Sequence, residues 1–132
     1  MVTLQMPHPH LVVLRTAVTL VLSCLLGQAG WAAAFLGGEE RYYRYHQIGA
    51  WVTFAVTVAS TIVYLVLRRS AGPVNVTLAV LLAVAVAAQL GLGEAHARSL
   101  HIFVGVLVVM LATALTSWTY RHVLPSAPPA DV

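Results

Sequence analysis

The sequence predicts an all-α protein, an integral-membrane antiparallel four-helix bundle. Composition is the first reason: of 132 residues, 60% are hydrophobic and 8% charged, with a mean hydropathy of +0.86. Such a chain has too little polar surface to cover itself in water. Second, the apolar residues fall into four runs, each long enough to cross about 30 Å of hydrocarbon at about 1.5 Å per residue. Third, the connections between the runs are short. A bilayer admits helices or closed barrels, and short loops make successive helices antiparallel.

The lead, residues 1–10, is polar and proline-containing and reads as a loose tail. His8 and His10 flank Pro9 there and read as exposed rather than as a metal site. The first apolar run extends from Leu11 to about Leu36, broken only by Arg15. Ala32-Ala33-Ala34 resembles a cleavage site, and Val21-Leu22-Ser23-Cys24 vaguely resembles a lipoprotein box. The run is longer than a signal sequence's apolar region, so it is assigned as a spanning helix. Residues 37–44 form a hydrophilic connection containing Glu39, Glu40, Arg41 and Arg44. The second run is Tyr45 to Leu67, ended by a basic turn, Arg68-Arg69-Ser70-Ala71-Gly72-Pro73. The third is Val74 to Leu92, followed by a loop carrying Glu94, His96 and Arg98. The fourth is Ser99 to Tyr120, after which residues 121–132 read as a disordered, proline-containing tail.

Charge narrows the partners. The formal net charge is +3 and every basic residue is arginine. No basic stretch interleaved with aromatics is present, which excludes nucleic acid and points to membrane-flanking charge. Cys24 is the only cysteine, so there is neither an internal disulfide nor a CxxC site. With both termini inside, Arg15, Arg68, Arg69 and Arg121 face the cytoplasm and Arg41, Arg44 and Arg98 face outward. That is the arrangement the positive-inside rule prefers, in what is expected to be a bacterial plasma membrane. Trp31, Trp51, Trp118, Tyr42, Tyr43, Tyr45 and Tyr120 lie near segment ends, as interfacial aromatics do.

Two histidines open two of the runs. His46 starts the second and His101 the fourth, and a glycine follows each within one turn, Gly49 at i+3 and Gly105 at i+4. The topology makes these helices parallel and diagonal, which puts both imidazoles at one depth near the outer face. Diagonal histidines leave room for a flat macrocycle with one imidazole on each iron face, a bis-histidine b-type haem. Gly49, Ala50 and Thr53, with Gly105 and Val108, form small or modest stripes beside such a ring. Close helix packing explains the glycines equally well. A faint internal repeat adds to the pattern: Gln28-Ala29-Gly30 precedes His46, and Gln89-Leu90-Gly91 precedes His101. Gln28 and Gln89 themselves read as interhelical hydrogen-bonding groups.

Alternatives stay open for the pair: an interfacial hydrogen-bonding role, or another metal. Zinc is disfavoured, because two histidines do not complete its four-coordinate shell. His96 reads as an exposed loop residue, although it lies close enough in sequence to substitute as a ligand.

The order of these features resembles one half of the haem A synthase family. The shared features are a glutamate-bearing outer loop, a histidine opening the second helix, Gln-x-Gly in the third and a histidine opening the fourth. The resemblance spans Leu11 to Tyr120. It implies that His46 and His101 are axial ligands and that Glu39 or Glu40 corresponds to the family's catalytic glutamate. The chain departs from the family at Gln47, where arginine is usual. It also lacks the paired loop cysteines of many members and the second four-helix half, unless two copies dimerise. These departures weigh against haem A synthesis itself.

The resulting expectation is a membrane haem protein for electron transfer or haem handling, with Arg41, Arg44 and Arg98 placed to pair with the propionates. The contrasting expectation is a cofactor-free accessory or scaffold subunit of a larger membrane (respiratory) complex, using Ala83, Ala87 and Gly91 as a partner face. A transporter is disfavoured, since no charge lies in the middle of a run and no helix is broken by proline. Apart from Glu39 and Glu40, no acid–base constellation points to an enzyme.

Overall fold

The computed structural model describes residues 8–124. Four long helices, α1 (Pro9–Leu36), α2 (Arg41–Val66), α4 (Pro73–Glu94) and α5 (Arg98–Arg121), are joined by short turns. A single-turn helix α3 (Arg68–Ala71) lies between α2 and α4. Each long helix is apolar and long enough to span a membrane, and the described residues contain no strand. This is the helical membrane bundle that the sequence predicts.

Several boundaries differ from those read off hydropathy. The expected tail through residue 10 gives way to helix at Pro9. Proline suits that position because the first turn needs no N–H from it, and the His8 ring accepts the His10 N–H at 3.2 Å. α2 begins at Arg41, four residues before the apolar run, so Arg41 and Arg44 stand on a helix rather than in a loop. Hydropathy marks where a helix enters hydrocarbon, whereas the backbone hydrogen bonds continue into the headgroup region. The basic turn coils into α3 and ends on Gly72 at φ 79°. An added Cβ there would be strained and would also lie 3.1 Å from the His122 ring. Residues 1–7 of the expected N-terminal tail and 125–132 of the expected C-terminal tail lie outside the described residues.

α1 packs beside α2 and α5, and α4 beside the same two, so α2 and α5 oppose each other across the diagonal. Buried residues recur at spacings of three and four. They are Leu11, Leu14, Val18, Val21 and Leu25 on α1, and Gly49, Thr53, Thr57, Ser60 and Tyr64 on α2. On α4 they are Asn75, Ala79, Leu82 and Val86, and on α5 Val108, Ala112, Leu115 and Thr119. Such a 3.5-residue period keeps one seam of each helix facing inward along its whole length. The outward faces carry Leu20, Leu26, Ile62, Val84, Phe103 and Met110, all exposed, as lipid contact requires. Ala87 and Gly91 are exposed as well, outside the seam, and no neighbour lies within 4 Å of a Cβ built on Gly91.

The seam is apolar through most of its length. Thr57 donates to the Thr53 carbonyl at 2.7 Å, and Thr61 to that of Thr57 at 2.9 Å and across to the Ala79 carbonyl of α4 at 3.2 Å. At one end the seam becomes polar with Tyr64, Asn75 and Thr119. Continued three or four residues beyond Leu25, Gly49, Val86 and Gly105 at the other end, it reaches Gln28, His46, Gln89 and His101.

Candidate functional site

Each histidine is fixed by the helix that precedes it in the chain. α1 and α2 form one hairpin, and within it His46 Nδ1 lies 3.2 Å from the Gln28 carbonyl. α4 and α5 form the other, and His101 Nδ1 lies 3.0 Å from the Gln89 carbonyl. A carbonyl oxygen only accepts, so both Nδ1 atoms carry the proton and both Nε2 atoms keep a lone pair. The Gln89 amide also donates to the His101 carbonyl at 2.8 Å, while its contact with His101 Nε2 is long, at 3.4 Å. Both imidazoles are partly buried. Their ring centres are 6.1 Å apart across the α2–α5 diagonal, with planes at 88°.

Glycines create the space for this layer. A Cβ added to Gly49 would overlap the Gln28 amide and the Trp31 ring, and one on Gly105 would come within 2.9 Å of Gln89 Nε2. A third glycine escapes sequence reasoning. Gly93 stands on α4 where an added Cβ would lie 3.1 Å from the His101 ring. By hydropathy it belongs to a loop. Its i+4 spacing from Gln89, on the same helix face, is the signal that would have found it.

The layer contains unpaired polar atoms. Gln28 Nε2 and Oε1 and Gln89 Oε1 are buried without a hydrogen-bond partner among the described residues. Buried amide atoms are ordinarily paired, since each orphan costs about 1–3 kcal/mol.

The other expected site residues sit around this layer on exposed surface. Arg41 pairs with Glu39 at 3.0 Å, both side chains well exposed, and lies over the Tyr42 ring. Arg44 and Arg98 are exposed and have no side-chain hydrogen bond or ion pair among the described residues. Glu40 takes the N-cap position of α2 without a side-chain cap bond. Neither glutamate is hydrogen-bonded to the histidine layer. His96 is exposed in the turn before α5 at φ 55°, away from any ligand role in the pair. No three His, Cys, Asp or Glu side chains converge among the described residues. Two imidazoles alone do not complete the four-coordinate shell of a bare zinc ion.

Fold and layer together define a multi-pass helical membrane protein whose seam ends in paired imidazoles. No protein-family model, curated protein or solved structure matches the chain.

Proposed function

We propose that the protein is a membrane haem protein in which His46 and His101 hold one b-type haem near one face of the bilayer, for electron transfer or haem handling. The observation that carries this reading is the pair itself: two Nδ1-anchored imidazoles whose ring centres lie 6.1 Å apart on diagonal helices. Among the described residues, no hydrogen-bonding contact at either Nε2 is shorter than the 3.4 Å one from the Gln89 amide to His101. A metal–imidazole bond of about 2 Å, plus about 1 Å from Nε2 to its ring centre, gives about 6 Å for two rings sharing one metal. The donation of each Nδ1–H to a carbonyl is the outer-shell bond that orients metal-binding histidines and raises their basicity.

The residues present fit the group. The orphaned amides of Gln28 and Gln89 flank the imidazoles and, with Trp31, fill the space that Gly49 and Gly105 leave, so they are the side chains that would turn aside for a macrocycle's edges. Haem, when bound, supplies the one-electron redox chemistry. The chain's part is to fix both ligands, to exclude water with Trp31 and the apolar seam below, and to offer unpaired Arg44 and Arg98 to the propionates. The resemblance to one half of the haem A synthase family agrees with this ligand assignment. The orientation expected from the arginines sets the site at the outer face of a bacterial plasma membrane.

A second reading is favoured by one observation, the 2.8 Å bond from the Gln89 amide to the His101 carbonyl, which ties α4 to α5 without any cofactor. On that reading the layer is a polar clasp in an accessory subunit of a larger membrane complex or a homodimer.

A reduced-minus-oxidised visible spectrum of the detergent-purified protein separates the two. Haem ligation gives a sharp low-spin b-type signal that His46→Ala and His101→Ala each abolish or convert to high spin. A protein that stays colourless after haem is added supports the clasp.

A further inference from the structure

The end of the bundle opposite the histidines carries a second feature. Four arginines, Arg15, Arg68, Arg69 and Arg121, lie there, while all three glutamates, Glu39, Glu40 and Glu94, lie at the histidine end. No carboxylate pairs with any of the four among the described residues. Arg15 is committed, donating to the Tyr120 carbonyl at 3.1 Å and stacking on the Tyr120 ring, and Arg121 bonds the Ser117 carbonyl and covers Trp118. Arg68 and Arg69 are different. Both are exposed on the single turn of α3, and neither guanidinium has a hydrogen bond among the described residues.

Arg68 and Arg69 line an open hollow of about 450 Å³ together with His10, Ser70, Val66 and Leu67. The hollow is built from two distant parts of the chain. His10 Nδ1 is 2.8 Å from Ser70 Oγ, so the start of α1 is fastened to α3 and one wall is fixed. Its lining is mixed: three cationic or titratable side chains, a hydroxyl, and the strongly exposed Val66 at the lipid-facing end of α2. Loose positive charge would satisfy the positive-inside rule anywhere along a loop. A fixed concavity with two unpaired guanidiniums beside an apolar rim has the form of a ligand site.

We propose that this hollow binds the headgroup phosphate of an anionic phospholipid from the adjoining leaflet. Charge complementarity identifies the occupant. Guanidinium forks match phosphate oxygens bidentately, and basic recesses at helix ends are where anionic headgroups collect. Val66 and Leu67 take the start of the acyl chains, a contact that free phosphate cannot make. The site is independent of the histidine layer.

The test is native mass spectrometry of the full-length protein released from detergent, with phosphatidylglycerol or phosphatidylcholine added in equal amounts. The wild type retains phosphatidylglycerol preferentially. Arg68→Gln and Arg69→Gln each weaken retention about fivefold, from the roughly 1 kcal/mol that each basic residue contributes at an anionic surface. Arg121→Gln, at the same end but outside the hollow, and Arg44→Gln, at the other end, leave retention unchanged. Inorganic phosphate at millimolar concentration does not displace the lipid. Equal retention of the two lipids overturns the proposal, as does equal loss in the Arg121 variant, which reduces the effect to general charge. Full displacement by inorganic phosphate also overturns it, by assigning the hollow to a soluble anion.

Discussion

The two polar ends of the seam use similar residue types to opposite effect. At the Tyr64 end the groups close on one another. Tyr64 donates to Thr119 Oγ1 at 2.7 Å, Thr119 to Asn75 Oδ1 at 3.3 Å, and Asn75 to the Ala71 carbonyl at 2.9 Å. All three residues are essentially fully buried and come from three different helices. At the histidine end the backbone carbonyls of Gln28 and Gln89 orient the imidazoles, while three amide atoms stay unpaired and both Nε2 atoms keep their lone pairs. One end is a completed network that sets register between helices. The other is an incomplete one, held open by glycine. A polar layer in a membrane core is thus not diagnostic by composition; whether its donors and acceptors are spent tells a structural lock from a candidate site.

This contrast is open to measurement, with unfolding in mixed detergent followed by circular dichroism as a common readout. Tyr64→Ala removes the largest fully buried side chain and is expected to destabilise by about 3–5 kcal/mol. His46→Ala, at a half-open position, is expected to cost the cofactor-free protein much less. Equal losses would erase the distinction between the ends. Gly49→Ala forces a methyl into the Gln28 amide and the Trp31 ring and is expected to cost about 1–3 kcal/mol. Gly27→Ala, where nothing lies within 4 Å of the new Cβ, is expected to be neutral or to stabilise by up to about 1 kcal/mol. A neutral Gly49→Ala would mean that the layer is loosely packed. Thr119→Val strands Asn75 Oδ1 and leaves Tyr64 Oη only the Leu14 carbonyl at 3.3 Å, at about 1 kcal/mol in a membrane setting. The sharpest comparison is one of sign: Gln28→Leu discards two orphaned atoms and is expected to stabilise by up to about 1 kcal/mol. If Gln28→Leu destabilised the cofactor-free protein as Thr119→Val does, the histidine end would be a lock as well.

Much of this was legible in the sequence, for identifiable reasons. Four apolar runs and short turns suffice for the bundle, because hydrocarbon leaves few alternatives for the backbone. The placement of His46 and His101 follows from helix parity alone, without any knowledge of packing. The Tyr64 network was not legible. Tyr64 lies three residues from the expected end of its run, where a tyrosine ordinarily belongs to the interfacial belt, and burial is decided by rotation about the helix axis. The spacing Gly49, Thr53, Thr57, Ser60, Tyr64 carries that rotation, but only once the seam's period is known from neighbouring helices. Trp31 hides for the same reason: it packs over Gly49 as well as lying near a helix end. Arg41 and Arg44 carry the signature of loop charge because the polarity of a helix's first turn looks, residue by residue, like that of a loop.

The hairpin architecture has a consequence for the order of events in biogenesis. Each hairpin contains one imidazole together with the carbonyl that orients it, His46 with Gln28 and His101 with Gln89. An imidazole is therefore aligned as soon as its own two helices pair, within a local stretch of chain. What neither hairpin possesses is the opposing ring. The 6.1 Å pair comes into being only when the hairpins dock across the diagonal. The layer thereby acts as a coincidence detector for tertiary assembly, complete when both halves of the chain have arrived and half-formed at every step before.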